Sequence, residues 1–276
     1  MKRDAANIAA REVSVVIPTY NRRDLAAQAV RSALHLSDFC DVEVIIIDDQ
    51  SSDNTVDLLL REFHGQLEEG LVKLVCNAEN MGVTGAKNVG AQRSTGEWII
   101  FLDSDDVLGK ESLQAVVQEL REASDAPAVF FRCIDSMSGG LIGKYEPSRR
   151  SIDLRAMLNH WVWGECLPAV RRGAFMQFPY DADLRGFEGL SYCRIVRAFG
   201  PARLSTVVAR MYRTVGHDRL SSRTGLRARS CELARGHWRM LREFAGTVGV
   251  GGAAMRLTKA CLYAMKCLSF RKAARS

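Results

Sequence analysis

The run Trp98-Ile99-Ile100-Phe101-Leu102-Asp103-Ser104-Asp105-Asp106 constrains this chain more than any other stretch. Five apolar or aromatic residues lead without a break into three carboxylates within four positions. Side chains on a strand alternate between faces, so an unbroken apolar run reads as a strand buried on both faces, ending where the sheet meets water. In open α/β sheets the carboxyl ends of such strands are where ligands bind. Asp103 and Asp105 flank the small Ser104, and in a tight turn both present oxygens toward one spot. Oxygen-rich sites of this kind suit Mg²⁺ or Mn²⁺, with phosphate oxygens and water completing the shell. The competing reading is a solvated acidic turn that caps a helix starting near Lys110.

The rest of the N-terminal half weighs against a mere cap. Val13 to Pro18 and Val42 to Ile47 read as two further buried strands, and Leu71 to Cys76 as a third. Between them lie helix patterns: one through Leu25, Ala29, Val30 and Ala33 with Asn21 as its expected N-cap, one through Leu58-Leu59-Leu60, and a short one from Ala86 to Ser94 after a loop over Asn77 to Gly85. Alternating strand and helix at these lengths imply a parallel sheet with right-handed crossovers. Three strands then end in polar residues on one edge: Thr19-Tyr20-Asn21, Asp48-Asp49 and Asp103-Ser104-Asp105. They frame a crevice able to hold a base, a ribose and a metal-bound diphosphate.

Past Asp106 the pattern loosens. Glu111 to Arg121 reads as an amphipathic helix, Val129 to Ile134 as a strand and Gly139-Gly140 as a hairpin turn. From about residue 145 the alternation is lost, and Trp161, Trp163, Phe175, Phe178, Tyr180, Phe187 and Tyr192 crowd together, as core or as a face for a sugar ring. Toward the C-terminus Met255, Leu257, Cys261, Leu262, Met265 and Leu268 recur at helical spacing among Arg256, Lys259, Lys266, Arg271 and Lys272. Such a basic helix either packs on the domain with a solvated face or lies on an anionic leaflet.

The chain is 47% hydrophobic and 25% charged with a net charge of +6, an ordinary balance for a globular protein with a mild preference for anionic partners. The eight cysteines form no C-x-x-C pair and read as small buried hydrophobes in a reducing compartment, without disulfides or zinc. No secretory h-region and no bilayer-length run is present, so the expected location is cytoplasmic, with peripheral contact to the inner face of the membrane through the basic helix. No glycine-rich phosphate loop and no G-x-G-x-x-G follows the first strand, which argues against a nucleotidyltransferase and a Rossmann oxidoreductase.

Four linked motifs resemble glycosyltransferase family 2. They are Val15-Val16-Ile17-Pro18-Thr19-Tyr20-Asn21, then Val44 to Thr55 with Asp48-Asp49, then Asn80-Met81-Gly82 with Ala86-Lys87-Asn88-Val89-Gly90, then Gly96 to Asp106. The resemblance implies a GT-A fold: a Rossmann-like, mostly parallel central sheet flanked by helices, with a C-terminal acceptor-binding region and a helical tail. It implies a domain over 12–222, divided into a donor nucleotide-binding half (12–108) and an acceptor half (109–222), followed by a basic helical extension over 223–276. The implied activity is transfer of a sugar from a UDP-, GDP- or dTDP-linked donor to a hydroxyl of a glycan, lipid-linked or cell-surface polysaccharide acceptor, with Mn²⁺ or Mg²⁺ as cofactor and no nucleic-acid partner.

The same resemblance assigns residues. Pro18, Thr19, Tyr20 and Asn21 would line the base and ribose. Asp49 would bond the base, Asp103 and Ser104 the ribose or metal shell, and Asp105 would be the direct metal ligand. Lys87 stands where the family often has Arg, keeping the charge but not the bidentate fork. The family's catalytic acid pair matches Glu188-Gly189, so Glu188 is the expected general base of an inverting transfer, with Asp183 in reserve. Gly189 replaces the second acid, which leaves a catalytically weak nucleotide-sugar-binding or membrane-associated scaffold as the alternative. Tyr212 to Ser222 resembles the segment that closes over the diphosphate: Arg213, Arg219, Ser221 and Ser222 would meet phosphates, and His217 the metal or diphosphate.

Overall fold

The computed structural model describes residues 11–144, 148, 150–159, 164–213 and 223–273. Among these, nine strands form one sheet: β1 (Val13–Thr19), β2 (Val42–Asp48), β3 (Val72–Cys76), β4 (Trp98–Phe101), β5 (Val107–Leu108), β6 (Ala128–Asp135), β7 (Arg150–Ile152), β8 (Cys166–Arg171) and β9 (Ala202–Tyr212). The helices are α1 (Arg23–Leu34), α2 (Thr55–Glu62), α3 (His64–Glu68), α4 (Gly82–Arg93), α5 (Leu113–Glu122), α6 (Leu154–Asn159), α7 (Arg172–Gln177), α8 (Gly189–Phe199), α9 (Arg223–Ala228), α10 (Ser230–Phe244) and α11 (Val250–Ala273).

The spatial order is β3-β2-β1-β4-β8-β6-β9-β5, with β7 paired to β9. The first four strands run parallel. β8 lies antiparallel between β4 and β6, so the two halves of the chain share one sheet. This is the expected mixed α/β architecture with flanking helices: the amino-terminal strands are parallel as the strand-and-helix alternation implies, while the rest of the sheet mixes both directions. Strands β5, β7, β8 and β9 are left unread by sequence patterning, because none opens a β-α-β repeat.

Alternation sorts the strands between two apolar cores. Val13, Val15 and Ile17 of β1 and Trp98 and Ile100 of β4 face α1 and α5, while Val16, Ile99 and Phe101 face α4, α7 and α8. Both faces are therefore covered, which is why these strands read as unbroken apolar runs. The aromatics past residue 160 that the structure describes serve this packing. Phe101, Phe175 and Tyr180 meet in tilted and edge-to-face pairs with ring centroids 4.9–5.2 Å apart, and Tyr180 meets Tyr192 edge-on at 5.8 Å. Trp161 and Trp163 lie outside the described residues. α4 sits so close to the sheet that a Cβ at Gly90 would stand 2.3 Å from Val16.

The amino-terminal edge of the parallel strands is closed by one buried carboxylate. Glu43 accepts hydrogen bonds from Ser14 (2.6 Å), Lys73 (2.6 Å) and both the amide and hydroxyl of Thr95 (2.6 and 2.9 Å). Burial opposes its charge, but these donors outweigh burial and hold the carboxyl below its ordinary value.

Two local expectations are corrected. Asn21 does not cap α1. It adopts φ +50°, and its side chain accepts the Ser52 amide at 2.7 Å while its own amide donates to Ser51, tying the β1 and β2 loops together. The helix before β4 starts at Gly82, four residues earlier than the apolar spacing suggests, because Gly82 takes φ +72°.

The cysteines also depart from expectation. Cys231 and Cys267 form a disulfide that ties α10 to α11. Their separation of 36 residues carries no motif, and only the antiparallel docking of the two helices brings them together. Among the described residues no helix is long and apolar enough to cross a membrane.

Candidate active site

The carboxyl ends of β1, β2 and β4 open into a cavity of about 380 Å³. Pro18, Thr19 and Tyr20 enter it from β1, Asp49 from β2, Lys87 from α4, and Asp103, Ser104 and Asp105 from the turn after β4. Glu188 reaches it from the second half of the chain as the residue immediately before α8. Nine of the residues singled out from sequence thus converge on one space.

Each is held by local structure. The Asp49 amide donates to the Thr19 carbonyl at 2.8 Å, locking the β1 and β2 turns together. Its carboxylate accepts from the Met81 and Gly82 amides at 2.9 and 2.7 Å and from Asn77 at 2.8 Å, so it satisfies the free amides at the start of α4. Thr19 Oγ1 is buried without a protein partner, a hydroxyl left for a ligand.

The electrostatic centre is Lys87. Its Nζ lies 2.8 Å from Asp103 Oδ1 and 3.8 Å from Glu188 Oε1, with the side chain 8% exposed. Burial works against the ammonium, but Asp103 and then Glu188 outweigh it and hold its pKa above the ordinary value. Asp103 responds in the opposite sense: burial is outweighed by Lys87 and Arg210, and the carboxyl is held below its ordinary value. Asp105 pairs with Arg22 at 3.1 Å. Asp106 is buried against Arg210 at 3.2 Å and accepts the Arg213 amide at 2.9 Å. Asp106 and Arg210 brace the acidic turn from behind.

The sequence singled out neither Arg22, Arg185, Arg229 nor Glu165, yet all four line the cavity. Arg185 crosses the start of α4, where a Cβ on Gly82 would stand 2.7 Å from its guanidinium. Arg229 donates to the Arg185 carbonyl at 3.0 Å, and burial pushes its pKa down. Two neighbouring guanidinium groups and an ammonium thus face the cavity beside its carboxylates. Arg22 directly follows the motif ending at Asn21 and Arg185 lies between Asp183 and Glu188, so adjacency was a signal. Arg229 had none, because α9 and α10 carry it in from the C-terminal extension.

Other expected residues lie elsewhere. Asn21 is exposed and does not line the cavity, since its side chain is used between loops. Arg213 is exposed and also lies off the cavity wall, its amide engaged by Asp106. Asp183 is drawn away by Arg239 at 3.0 Å, and this partner holds its carboxyl below the ordinary value against the effect of burial. His217, Arg219, Ser221 and Ser222 fall outside the described residues.

Asp103 and Asp105 put two carboxylates on one turn. Among the described residues no three His, Cys, Asp or Glu side chains converge to hold a metal ion by themselves. That arrangement fits an ion that takes one or two carboxylates and completes its shell with ligand phosphates and water, as Mg²⁺ commonly does, and does not fit an all-protein cage.

The sequence profile described as Glycosyl transferase family 2 matches residues 14–184, which spans every element described above from β1 to the segment before Glu188. The chain belongs to this family.

Among curated relatives, a GalNAc(5)-diNAcBac-PP-undecaprenol beta-1,3-glucosyltransferase of Campylobacter jejuni is 34% identical over 47% of this chain and 40% of its own length. A putative teichuronic acid biosynthesis glycosyltransferase, TuaG of Bacillus subtilis, is 32% identical over 57% of this chain and 61% of its own. The matches therefore span less than two thirds of these relatives. Solved structures agree in fold with this family 2 member. S. aureus TarS 1–349 in complex with UDP-GlcNAc superposes with TM-score 0.64 at 17% identity, over 94% of this chain and 73% of that one. The mannosyltransferase PcManGT from Pyrobaculum calidifontis, in complex with GDP-Man and Mn²⁺, gives TM-score 0.63 at 16% identity, over 95% and 76%.

Proposed function

We propose that this glycosyltransferase moves a sugar from a nucleotide-diphosphate donor to an acceptor hydroxyl, with inversion at the anomeric carbon. The observation that carries the reading is Lys87 set between Asp103 at 2.8 Å and Glu188 at 3.8 Å, at the carboxyl ends of the parallel strands. One carboxylate belongs to the donor turn and the other opens α8, so the ammonium marks the border between the donor and the attacking group.

In this reading the Pro18-Thr19-Tyr20 turn, Asp49 and Ser104 hold base and ribose, with Thr19 Oγ1 free to bond them. Lys87, Arg22, Arg185 and Arg229 face the diphosphate. Glu188 takes the proton of the acceptor hydroxyl, and the acceptor oxygen forms its bond to the anomeric carbon on the face opposite the diphosphate. The bond from that carbon to the diphosphate oxygen breaks, and the nucleoside diphosphate leaves with the electron pair. Cations fixed in place before the reaction stabilise this developing charge without reorganising. Asp103 and Asp105, with His217 as a further candidate, would hold Mn²⁺ or Mg²⁺, which when bound supplies added positive charge at the departing phosphates.

The acceptor is proposed to be a glycan or a lipid-linked sugar. A relative named for a PP-undecaprenol-linked compound supports this, as do Leu257, Leu262, Met265 and Leu268 of α11, which are 42–62% exposed beside Lys259 and Lys266. In that arrangement α11 rests on an anionic membrane face, and residues 223–276 act as an extension to a catalytic domain over 12–222.

A thermal-shift screen of UDP-, GDP- and dTDP-sugars with Mn²⁺, followed by donor hydrolysis with metal present and chelated, tests the reading. One donor class should raise the midpoint by mass action, and hydrolysis should stop on chelation. If no nucleotide sugar shifts the midpoint, the transferase reading is wrong. Binding without hydrolysis or transfer would support a non-catalytic binding protein.

A further inference from the structure

A second cavity, of about 390 Å³, adjoins the first and shares Glu165, Gly186 and Glu188 with it. Its walls are apolar: Phe130, Met157, Leu204, Leu233, Met240 and Met255 contribute from β6, α6, β9, α10 and α11. Three of these elements, β9, α10 and α11, lie beyond the residues that the family profile matches. Part of the wall that selects what this cavity accepts therefore lies outside the family pattern.

Its carboxylates, Glu165 and Glu188, stand where it meets the first cavity, and its other charged residues are cations. Arg256 lines the cavity and is only 5% exposed. Its guanidinium donates to the Leu158 carbonyl at 2.8 Å, and Nε is buried without a partner. Among the described residues no carboxylate pairs with it. Burial pushes its pKa below the ordinary value, against only slight support from Cys193. Lys259, one helical turn further along α11, lines the same wall and is exposed. His237 stands opposite, its ring stacked on Tyr263 at 5.9 Å. Burial, then Lys259 and Arg256, push His237 down to about 4, so it is neutral at pH 7. A buried guanidinium without a counter-charge costs free energy unless an anion joins it.

We propose that this second cavity binds the acceptor, and that the acceptor hydroxyl is carried by an apolar chain bearing a phosphate or diphosphate, its anionic group held by Arg256 and Lys259. The inference rests on the transferase reading in one respect, that Glu188 serves both cavities. Charge complementarity selects the anion, and the apolar walls select the chain. Met255 lines the cavity while 40% exposed, and Leu262, two turns on along the same side of α11, is 42% exposed. This exposed row offers a path for a chain too long for the cavity.

The test is calorimetric binding to the full chain of farnesyl diphosphate, farnesol and inorganic diphosphate, each with and without saturating UDP and Mn²⁺. Farnesyl diphosphate should bind in the presence of UDP, and the other two should bind at least about tenfold more weakly, each lacking one half of the recognition. Lys259→Glu sits on an exposed position, so the fold should survive, as thermal unfolding will report. It should weaken farnesyl diphosphate about tenfold, whereas Arg256→Lys, which keeps the charge, should weaken it less. Displacement of farnesyl diphosphate by UDP would place it in the donor cavity and overturn the proposal. Equal binding of farnesol would remove the anion requirement, equal binding of inorganic diphosphate the chain requirement, and unchanged binding in Lys259→Glu would remove the assigned residues. If farnesyl diphosphate binds as expected but no nucleotide sugar does, the transferase reading fails while this site stands. If a nucleotide sugar binds and is hydrolysed but farnesyl diphosphate does not bind, only this inference falls.

Discussion

The two cavities are nearly equal in volume, about 380 and 390 Å³, and opposite in chemistry. The first is built from strand ends and is ringed by carboxylates and cations. The second is built from helix faces and is apolar, with Arg256 and Lys259 as its cations. They meet at Glu165, Gly186 and Glu188. The difference follows from how each is made. At the carboxyl edge of a parallel sheet the chain must leave a buried strand for water within a residue or two, so polar groups concentrate there. Helices that pack on a sheet turn apolar faces inward, and a gap between them is apolar by default. A polar group in such a gap needs a reason.

Substitutions can separate the two. The largest effect is expected from Asp105→Ala, which belongs to the first cavity alone. Transfer should fall by about three to four orders of magnitude, the scale of losing several kcal/mol of charge stabilisation, while farnesyl diphosphate binding stays. Full turnover with the correct donor and Mn²⁺ would sink the metal assignment.

Glu188→Gln, at the shared wall, should lower kcat by about two to three orders of magnitude and leave donor binding near wild type, read by thermal shift. Collapse of donor binding in a folded variant would instead make Glu188 a binding residue.

Cys231→Ser removes the tether between α10 and α11, the two helices that line the second cavity. A 36-residue separation corresponds to about 3–4 kcal/mol of chain-entropy stabilisation. Thermal unfolding with and without reductant should differ for wild type and not for the variant, and farnesyl diphosphate binding should weaken more than nucleotide binding. Identical unfolding under both conditions would mean that the tether does not form.

The smallest effect concerns Glu43, at the edge remote from both cavities. Because its folded carboxyl is held below the ordinary value, its stabilisation is full above that value and is lost as pH falls through the folded one. Glu43→Gln should cost about 1–2 kcal/mol at pH 7 in urea melts, and the gap from wild type should close in acid. A gap that widens in acid would reverse the assignment.

How much could be read in advance differs between the regions for the same reason. The turn at Asp103 to Asp105 was legible because burial on both faces of β4 writes an unbroken apolar run beside its acids. Lys87 was legible by its place in a motif. Its function as the ammonium between two carboxylates was not, since α8 arrives from far along the chain. Asn21 misled because a loop-to-loop hydrogen bond and a helix cap use the same side chain. Strands β8 and β9 were missed because their places in the sheet depend on partners, not on period.

The sequence by itself determined the parallel half of the sheet, the polar strand ends and the acids that stand there, because strand period and burial are written in neighbouring residues. Only the tertiary structure decided that Arg229 joins the first cavity, that Cys231 meets Cys267, and that Arg256 is buried with no carboxylate partner among the described residues. Each of those depends on how α9, α10 and α11 dock, and docking is set by surfaces that no local pattern records.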